Sequence, residues 1–311
     1  MKYGIVSTAS IVKRFIKAIK HTDSEIAAIY SRSIAKAMEY AQEYDIKEGF
    51  DNMEYFLNSD IDIVYIATIN KDHYKWIKAS LLHGKHVLCE KPLVLKSSEV
   101  NELFDLASEH GLLLMEATKT VFLPITNKLK EIIQEKNYGK LLEVDMASSW
   151  ANPVSWMYES QGGVLNGSGT YTYEYLKYLL EPKKIEYSVS GNVSGECVSK
   201  TIIKMRMDDV KISSSISMEG LDLNRAIFYF EKAKIEVPNS HRANKMIISQ
   251  ETSEVYQIPC DYELIYEIEH FEKILGAALK ESPIMNRNMS YSCAKFVEDA
   301  NMKIFSENNI H

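Results

Sequence analysis

The sequence predicts an α/β fold class. An N-terminal doubly wound parallel sheet carries helices on both faces, and a C-terminal α+β domain is built on a large, mainly antiparallel sheet. Three observations carry this. The N-terminal third alternates short apolar runs with longer amphipathic stretches, and that rhythm changes after Pro124. The chain's 311 residues, 46% hydrophobic, also suit two cores of ordinary size better than one.

In the N-terminal part the short apolar runs predict strands at Tyr3–Val6, Glu25–Tyr30, Ile63–Ala67, His86–Cys89 and Leu112–Glu116. Between them, helical periodicity covers Ile11–Ile19, Ile34–Glu43, Met53–Leu57, His73–His83 and Ser97–His110. A helix over Asn127–Gln134 then gives way to strands at Leu141–Trp150, Ile185–Val193, Val198–Met207, Val210–Met218, Ala226–Phe230 and Lys245–Ile248. The aromatic stretch Tyr171–Leu180 reads as a helix, and helices return from Tyr262 to Phe305. The expected domains are 1–120 and 121–311, closely packed, with no repeat or long linker.

With 36 basic and 43 acidic residues the net charge is −7, so no concentrated positive surface is expected and nucleic acid is not an expected partner. Cys89, Cys197, Cys260 and Cys293 form no C-x-x-C pair, which suits a reducing compartment. Met1 runs straight into an apolar strand without a signal-peptide pattern, and no apolar run approaches the roughly 18 residues of a membrane span. A soluble, cytoplasmic protein with no membrane partner is expected.

The turn after the first strand is the first candidate site. A dinucleotide-binding turn carries G-x-G-x-x-G or G-x-G-x-x-A, because glycine permits the tight bend and lets amides approach a pyrophosphate at a helix N-terminus. Those positions are Ser7, Ala9 and Val12 here, so Ser7, Thr8, Ala9, Ser10 and Ile11 are either a phosphate cradle or an ordinary tight turn. After the second strand come Ser31, Arg32 and Ser33, with no acid to hold ribose hydroxyls. A guanidinium between two hydroxyls suits a 2′-phosphate, which favours NADP, with NAD possible. The competing reading makes Arg32 a surface residue and Ser33 a helix cap.

The segment HGKHVLCEKPL, preceded by IVYIATINKDH, resembles the Gfo/Idh/MocA oxidoreductase family (glucose-fructose oxidoreductase and inositol dehydrogenase). Its Glu-Lys-Pro is Glu90, Lys91 and Pro92; its Ala-Thr-Pro-Asn loop is Ala67, Thr68, Ile69 and Asn70, with His73 beyond. MEATKTVFLP resembles the segment that leaves the nucleotide domain, especially in the dihydrodiol and xylose dehydrogenase branch. The tail around Tyr266, Glu267, His270 and Glu281–Met285 extends the likeness over nearly the whole chain.

The resemblance implies a Rossmann-type fold and hydride transfer between NAD(P) and the carbinol carbon of a sugar, polyol or cyclic diol. It implies that Lys91 lies beside the nicotinamide as proton donor, oriented by Glu90 and assisted by Tyr171, with Thr68, Asn70 and His73 bordering the cleft. It also implies a homodimer or homotetramer. Three departures stand against it. The turn lacks its glycines, Val121 stands where members often carry Arg, and the family's Asp-x-Gly-x-His/Tyr becomes Gly167, Gly169 and Tyr171, with Asn166 adjacent to the missing acid. They motivate a second reading, a ligand-binding or regulatory protein that has kept the dehydrogenase fold.

Tyr171 itself is either catalytic or a core aromatic beside Tyr173, Tyr175 and Tyr178. His73, His83 and His86 have no acidic spacing that completes a metal set and read as hydrogen-bonding residues. Trp150, Trp156 and Tyr158, with Asn152 and Pro153, read as pocket lining or as a covering loop.

Overall fold

A computed structural model describes residues 1–153, 155–158 and 162–308. The chain divides into two compact units: Met1–Thr118 with Tyr262–Ala294, and Lys119–Asp261 with the segment beginning at Lys295. This differs from the expected split at 120/121, because Tyr262–Ala294 belongs with the first unit. Sequence periodicity identifies that segment as helical but carries no information on which core its apolar faces join.

In the first unit, β1 (Lys2–Val6), α1 (Ser10–Ile19), β2 (Glu25–Tyr30), α2 (Ile34–Tyr44), β3 (Glu48–Phe50), α3 (Met53–Leu57), β4 (Ile63–Ile66), α4 (His73–Leu82), β5 (His86–Glu90), α5 (Ser97–Glu109) and β6 (Leu114–Ala117) follow one another. All pairings in the sheet are parallel, in the order β3-β2-β1-β4-β5-β6. β4 and β6 are wholly buried, as strands covered on both faces must be. A Cβ at Gly4 would lie 2.7 Å from Ile61 Cδ1 and 2.8 Å from Phe56 Cζ, so a larger residue there would make these buried side chains shift. The strand order reverses between β1 and β4, which places the loops after these strands at the crevice where such sheets bind ligands. β3 was not read from the sequence: its three residues, Glu-Gly-Phe, are too few to show alternation.

The second unit contains α6 (Pro124–Glu135), β7 (Leu141–Ser149), α7 (Thr170–Leu180), β8 (Ile185–Ser194), β9 (Cys197–Met207), β10 (Val210–Ser217), β11 (Leu223–Phe230), β12 (Lys234–Pro238), β13 (Lys245–Ser249) and β14 (Ser253–Gln257). Its eight-stranded sheet runs β14-β13-β12-β11-β7-β10-β9-β8, antiparallel except for the β7–β10 pair. β9 alternates strictly, with Thr201, Ile203, Met205 and Met207 buried and Lys200, Ile202, Lys204 and Arg206 exposed. β12 and β14 were not foreseen, the first because it closes on Pro238, the second because every residue of this edge strand is exposed.

α8 (Ile265–Gly276) packs in the first unit, and α9 (Arg287–Glu307) begins there. Arg14 of α1 pairs with Glu263, Tyr3 and Ser24 both donate to Glu272 (3.2 and 2.6 Å), and His21 stacks on Tyr262 at 4.1 Å. These contacts tie the returning segment to α1 and β1. Among the described residues no helix is long and apolar enough to cross a membrane.

Candidate active site

The turn after β1 keeps a glycine-like backbone without glycine. Ser7 has φ = 126°, a conformation L side chains rarely adopt, and its N–H donates to the Tyr30 carbonyl at 3.0 Å. The Ser7 Oγ accepts the Ala9 N–H at 3.0 Å, and Tyr40 Oη holds the Thr8 carbonyl at 3.0 Å. Ala9 occupies the N-cap of α1 with no side-chain cap, and the first turn of the helix carries no acid. Ala9 and Ser10 are exposed, Ile11 half-buried, and Val12 fully buried beneath them. An uncapped helix start with exposed amides and no carboxylate fits a phosphate group.

At the end of β2, Ser31 is buried and its N–H donates to Phe50 at 2.9 Å. Arg32 and Ser33 are exposed. Ser33 occupies the N-cap of α2, yet its side chain makes no cap hydrogen bond, so capping does not account for it. An exposed guanidinium flanked by hydroxyls fits the phosphate that distinguishes NADP from NAD.

Beyond β4 and β5 the two loops are tied together by His73. Its side chain is buried, with Nδ1 2.8 Å from the Pro92 carbonyl and Nε2 3.2 Å from the Thr68 carbonyl. Burial lowers its pKa, favouring the neutral ring, which has one N–H to donate, and the shorter contact marks Pro92 as its acceptor. His73 thus braces the loop carrying Thr68 and Asn70 against the Glu90-Lys91-Pro92 turn, with no surface of its own to offer a ligand. Asn70 opens a 3-10 turn, Asn70–Asp72, that leads into α4.

Glu90 ends β5 half-buried, and its Oε1 accepts the Tyr65 hydroxyl at 2.8 Å. Tyr65 is fully buried and stacks on Phe15 at 3.7 Å; burial and the Glu90 charge push its pKa well up, so it stays a donor. The half-buried Lys91 follows, joined to Pro92 by a cis peptide bond. The Leu93 N–H then donates to the buried Glu116 carboxylate at 2.8 Å, pinning the turn from β6. His83 and His86 are hydrogen-bonded, to the Ala79 carbonyl (2.7 Å) and the Leu113 N–H (3.0 Å), and the described residues contain no metal-binding cluster.

In the second unit, Tyr171 is the second residue of α7, which follows directly on a π-helix, Leu165–Gly169, that contains Gly167. Such widened turns commonly mark functional positions. Its hydroxyl accepts a hydrogen bond from Lys119, whose Nζ also lies 4.5 Å from the ring centroid, and the His241 ring packs 4.3 Å away. The other tyrosines of the helix serve packing: Tyr173 stacks on Phe296, Tyr175 is fully buried against Phe228, and Tyr178 donates to Asn127. Asn166 does not replace the missing acid. Its amide donates to the Gly162 carbonyl at 3.0 Å and accepts from Asn301 at 3.3 Å, so it is engaged in holding the helix start. Trp150 is half-buried and Tyr158 exposed, while the Trp156 side chain lies outside the described residues.

Sequence reasoning missed Lys119, His241 and Tyr65. Lys119 did carry a signal, as the one charge in the run Ala117–Ile125. Nothing in the sequence pairs it with Tyr171, and Tyr65 reads only as an apolar strand position.

A doubly wound parallel sheet with a bare helix N-terminus at its switch point and a charged Glu-Lys-Pro turn beside it defines a dinucleotide-dependent oxidoreductase. The chain matches the Gfo/Idh/MocA family model, described as an oxidoreductase family with an NAD-binding Rossmann fold, over residues 1–118. It is 27% identical over 319 residues to the trans-1,2-dihydrobenzene-1,2-diol dehydrogenase of Xenopus laevis, covering 96% of each chain. It is equally 27% identical to an NADP(+) scyllo-inositol 2-dehydrogenase of Bacillus subtilis, again covering 96% of each. In fold it resembles a 3-ketoreductase from Actinomadura kijaniata solved with NADP and TDP-benzene (TM-score 0.88, 22% identity, 97% of each chain).

Proposed function

We propose that this chain is an NADP-dependent dehydrogenase or reductase acting on the CH–OH group of a sugar, polyol or cyclic diol. The observation that carries the reading is the pairing, on one sheet edge, of an exposed, uncapped α1 N-terminus with a braced Glu90-Lys91-Pro92 turn. The amides around Ser10 and Ile11 hold the pyrophosphate, Ser31, Arg32 and Ser33 hold the 2′-phosphate, and Thr68 and Asn70 border the nicotinamide end. Bound NADP supplies or accepts the hydride. Lys91 donates a hydrogen bond to the reacting substrate oxygen, and Glu90, fixed by Tyr65, holds the ammonium in place. In the second unit the Tyr171 hydroxyl serves the substrate hydroxyl.

The family relatives that act on a dihydrodiol and on an inositol support the substrate class, and the exposed Arg32 supports NADP over NAD. The reading also includes a homodimer or homotetramer, which follows from the resemblance alone, in the cytoplasm, which the four free cysteines support.

The test is a panel of polyols, sugars and cyclic diols followed at the nicotinamide absorbance with NADP and with NAD. Turnover is expected with NADP and is abolished in Lys91→Ala while the melting curve is retained. Arg32→Ala is expected to weaken NADP about tenfold, the order of one charge-assisted phosphate contact, and to leave NAD unchanged. Lack of turnover on the whole panel, or full activity in Lys91→Ala, overturns the reading.

A further inference from the structure

This inference rests on the oxidoreductase reading and concerns the proton. Lys119 opens the second unit in a 3-10 turn, Lys119–Val121, whose three residues are all buried; Lys119 itself is only 6% exposed. An ammonium withdrawn from water needs compensating partners, and here it donates to the Tyr171 hydroxyl while lying over the same ring. The resemblance expects an acid at position 167, and Gly167 stands there instead. The charge held against Tyr171 by this turn is therefore positive. The charged and titratable groups on these elements include Lys119 from this turn, His241 and Arg242 from the Ser240–Arg242 turn, and the buried Glu174 and the later Lys177 of α7.

We propose that Lys119 is a positioning residue that sets the protonation of Tyr171: its ammonium stabilises the phenolate and aims it, making Tyr171 the proton acceptor in alcohol oxidation. In that step the substrate O–H bond breaks and its proton bonds to the Tyr171 oxygen. The O–H electron pair becomes the second bond of the new carbonyl as the C–H hydride leaves to NADP in its oxidised form. Reduction runs the same step backwards. An ammonium within hydrogen-bonding reach favours the charged phenolate by direct Coulomb attraction, which a neutral residue of similar length cannot do. The arrangement needs no carboxylate at position 167.

The test uses the full-length protein labelled at tyrosine Cζ with carbon-13 and titrated by NMR, with the Tyr171 signal assigned through Tyr171→Phe. Tyr171 is expected to titrate below the exposed tyrosines, to move up by about one pH unit or more in Lys119→Met, and to stay low in Lys119→Arg. Lys119→Gln serves as second variant if the methionine disturbs the fold. Relative to wild type, the alkaline-rising limb of kcat/KM for oxidation moves up in pH by the same amount in Lys119→Met. A Tyr171 signal that titrates with the exposed tyrosines, or is unmoved by removing the Lys119 charge, overturns the proposal whether or not any panel substrate is turned over. Absence of turnover with the expected NMR shift overturns the substrate reading instead.

Discussion

Tyr65 and Glu90 sit near the carboxyl ends of adjacent parallel strands, and the buried phenol donates to the carboxylate at 2.8 Å. The stack of Tyr65 on Phe15 leaves the hydroxyl one direction to point. The carboxylate beside Lys91 is thus oriented from the sheet's interior.

Tyr65→Phe removes that hydrogen bond and little volume. A bond to a charged acceptor contributes about 1.5–3 kcal/mol, so kcat is expected to fall on the order of tenfold or more. NADPH affinity is expected to hold, since the Tyr65 hydroxyl is bonded to Glu90 and not to the turn that follows β1. Steady-state kinetics with a separate coenzyme titration checks this, and an unchanged kcat would separate Glu90 from the chemistry.

Ser7→Gly should relieve the backbone. A non-glycine residue at φ = 126° carries strain on the order of 1–3 kcal/mol, against roughly 0.5–1 kcal/mol for the exposed Ser7 Oγ contact to the Ala9 N–H. Strain is the larger of the two, so the variant is expected to be about 1 kcal/mol more stable in denaturant titrations and to bind NADPH no less tightly. Weaker binding would show that the Ser7 hydroxyl contacts the diphosphate itself.

His270 should make stability depend on pH. The Ser282 Oγ accepts the N–H groups of Ile284 (3.1 Å) and Met285 (2.9 Å), so its own proton goes to His270 Nε2 at 2.9 Å and requires that nitrogen unprotonated. Burial, reinforced by Lys273, pulls the His270 pKa from 6.5 down to about 4. The unfolded chain takes up its proton near 6.5 and the folded chain does not until about 4. The contribution is therefore complete above pH 6.5 and is lost as pH falls toward 4. Denaturant midpoints at pH 7 and pH 5 should differ more in wild type than in His270→Gln. The difference left in the variant includes His73, which burial shifts the same way. Equal differences in the two proteins would remove His270 from the linkage.

Much of the fold was legible because parallel strands covered on both faces are continuous apolar runs and helices show their own period. Of the elements that escaped notice, the three-residue β3 and the fully exposed β14 lack a burial pattern, while β12 alternates but closes on Pro238. In the site, Lys91, Glu90 and the turn from Ser7 were legible because function leaves polar residues at strand ends. Lys119 was not, because its partner lies at Tyr171, far along the chain, and no local pattern encodes that meeting. His73 was legible as polar, but whether it bonded a ligand or the carbonyls of Thr68 and Pro92 depended on how two loops approach.

By itself the sequence determined the alternation of strands and helices, the change of rhythm after Pro124, and the chemistry available at each strand end, since these follow from local periodicity and side-chain type. Tertiary structure alone decided the rest. It returned Tyr262–Ala294 to the first unit, kept the glycine-like bend at Ser7, and set a buried ammonium on Tyr171. Each of these is a contact or a backbone angle imposed by distant packing, and packing is specified by the sum of the core rather than by any one stretch of it.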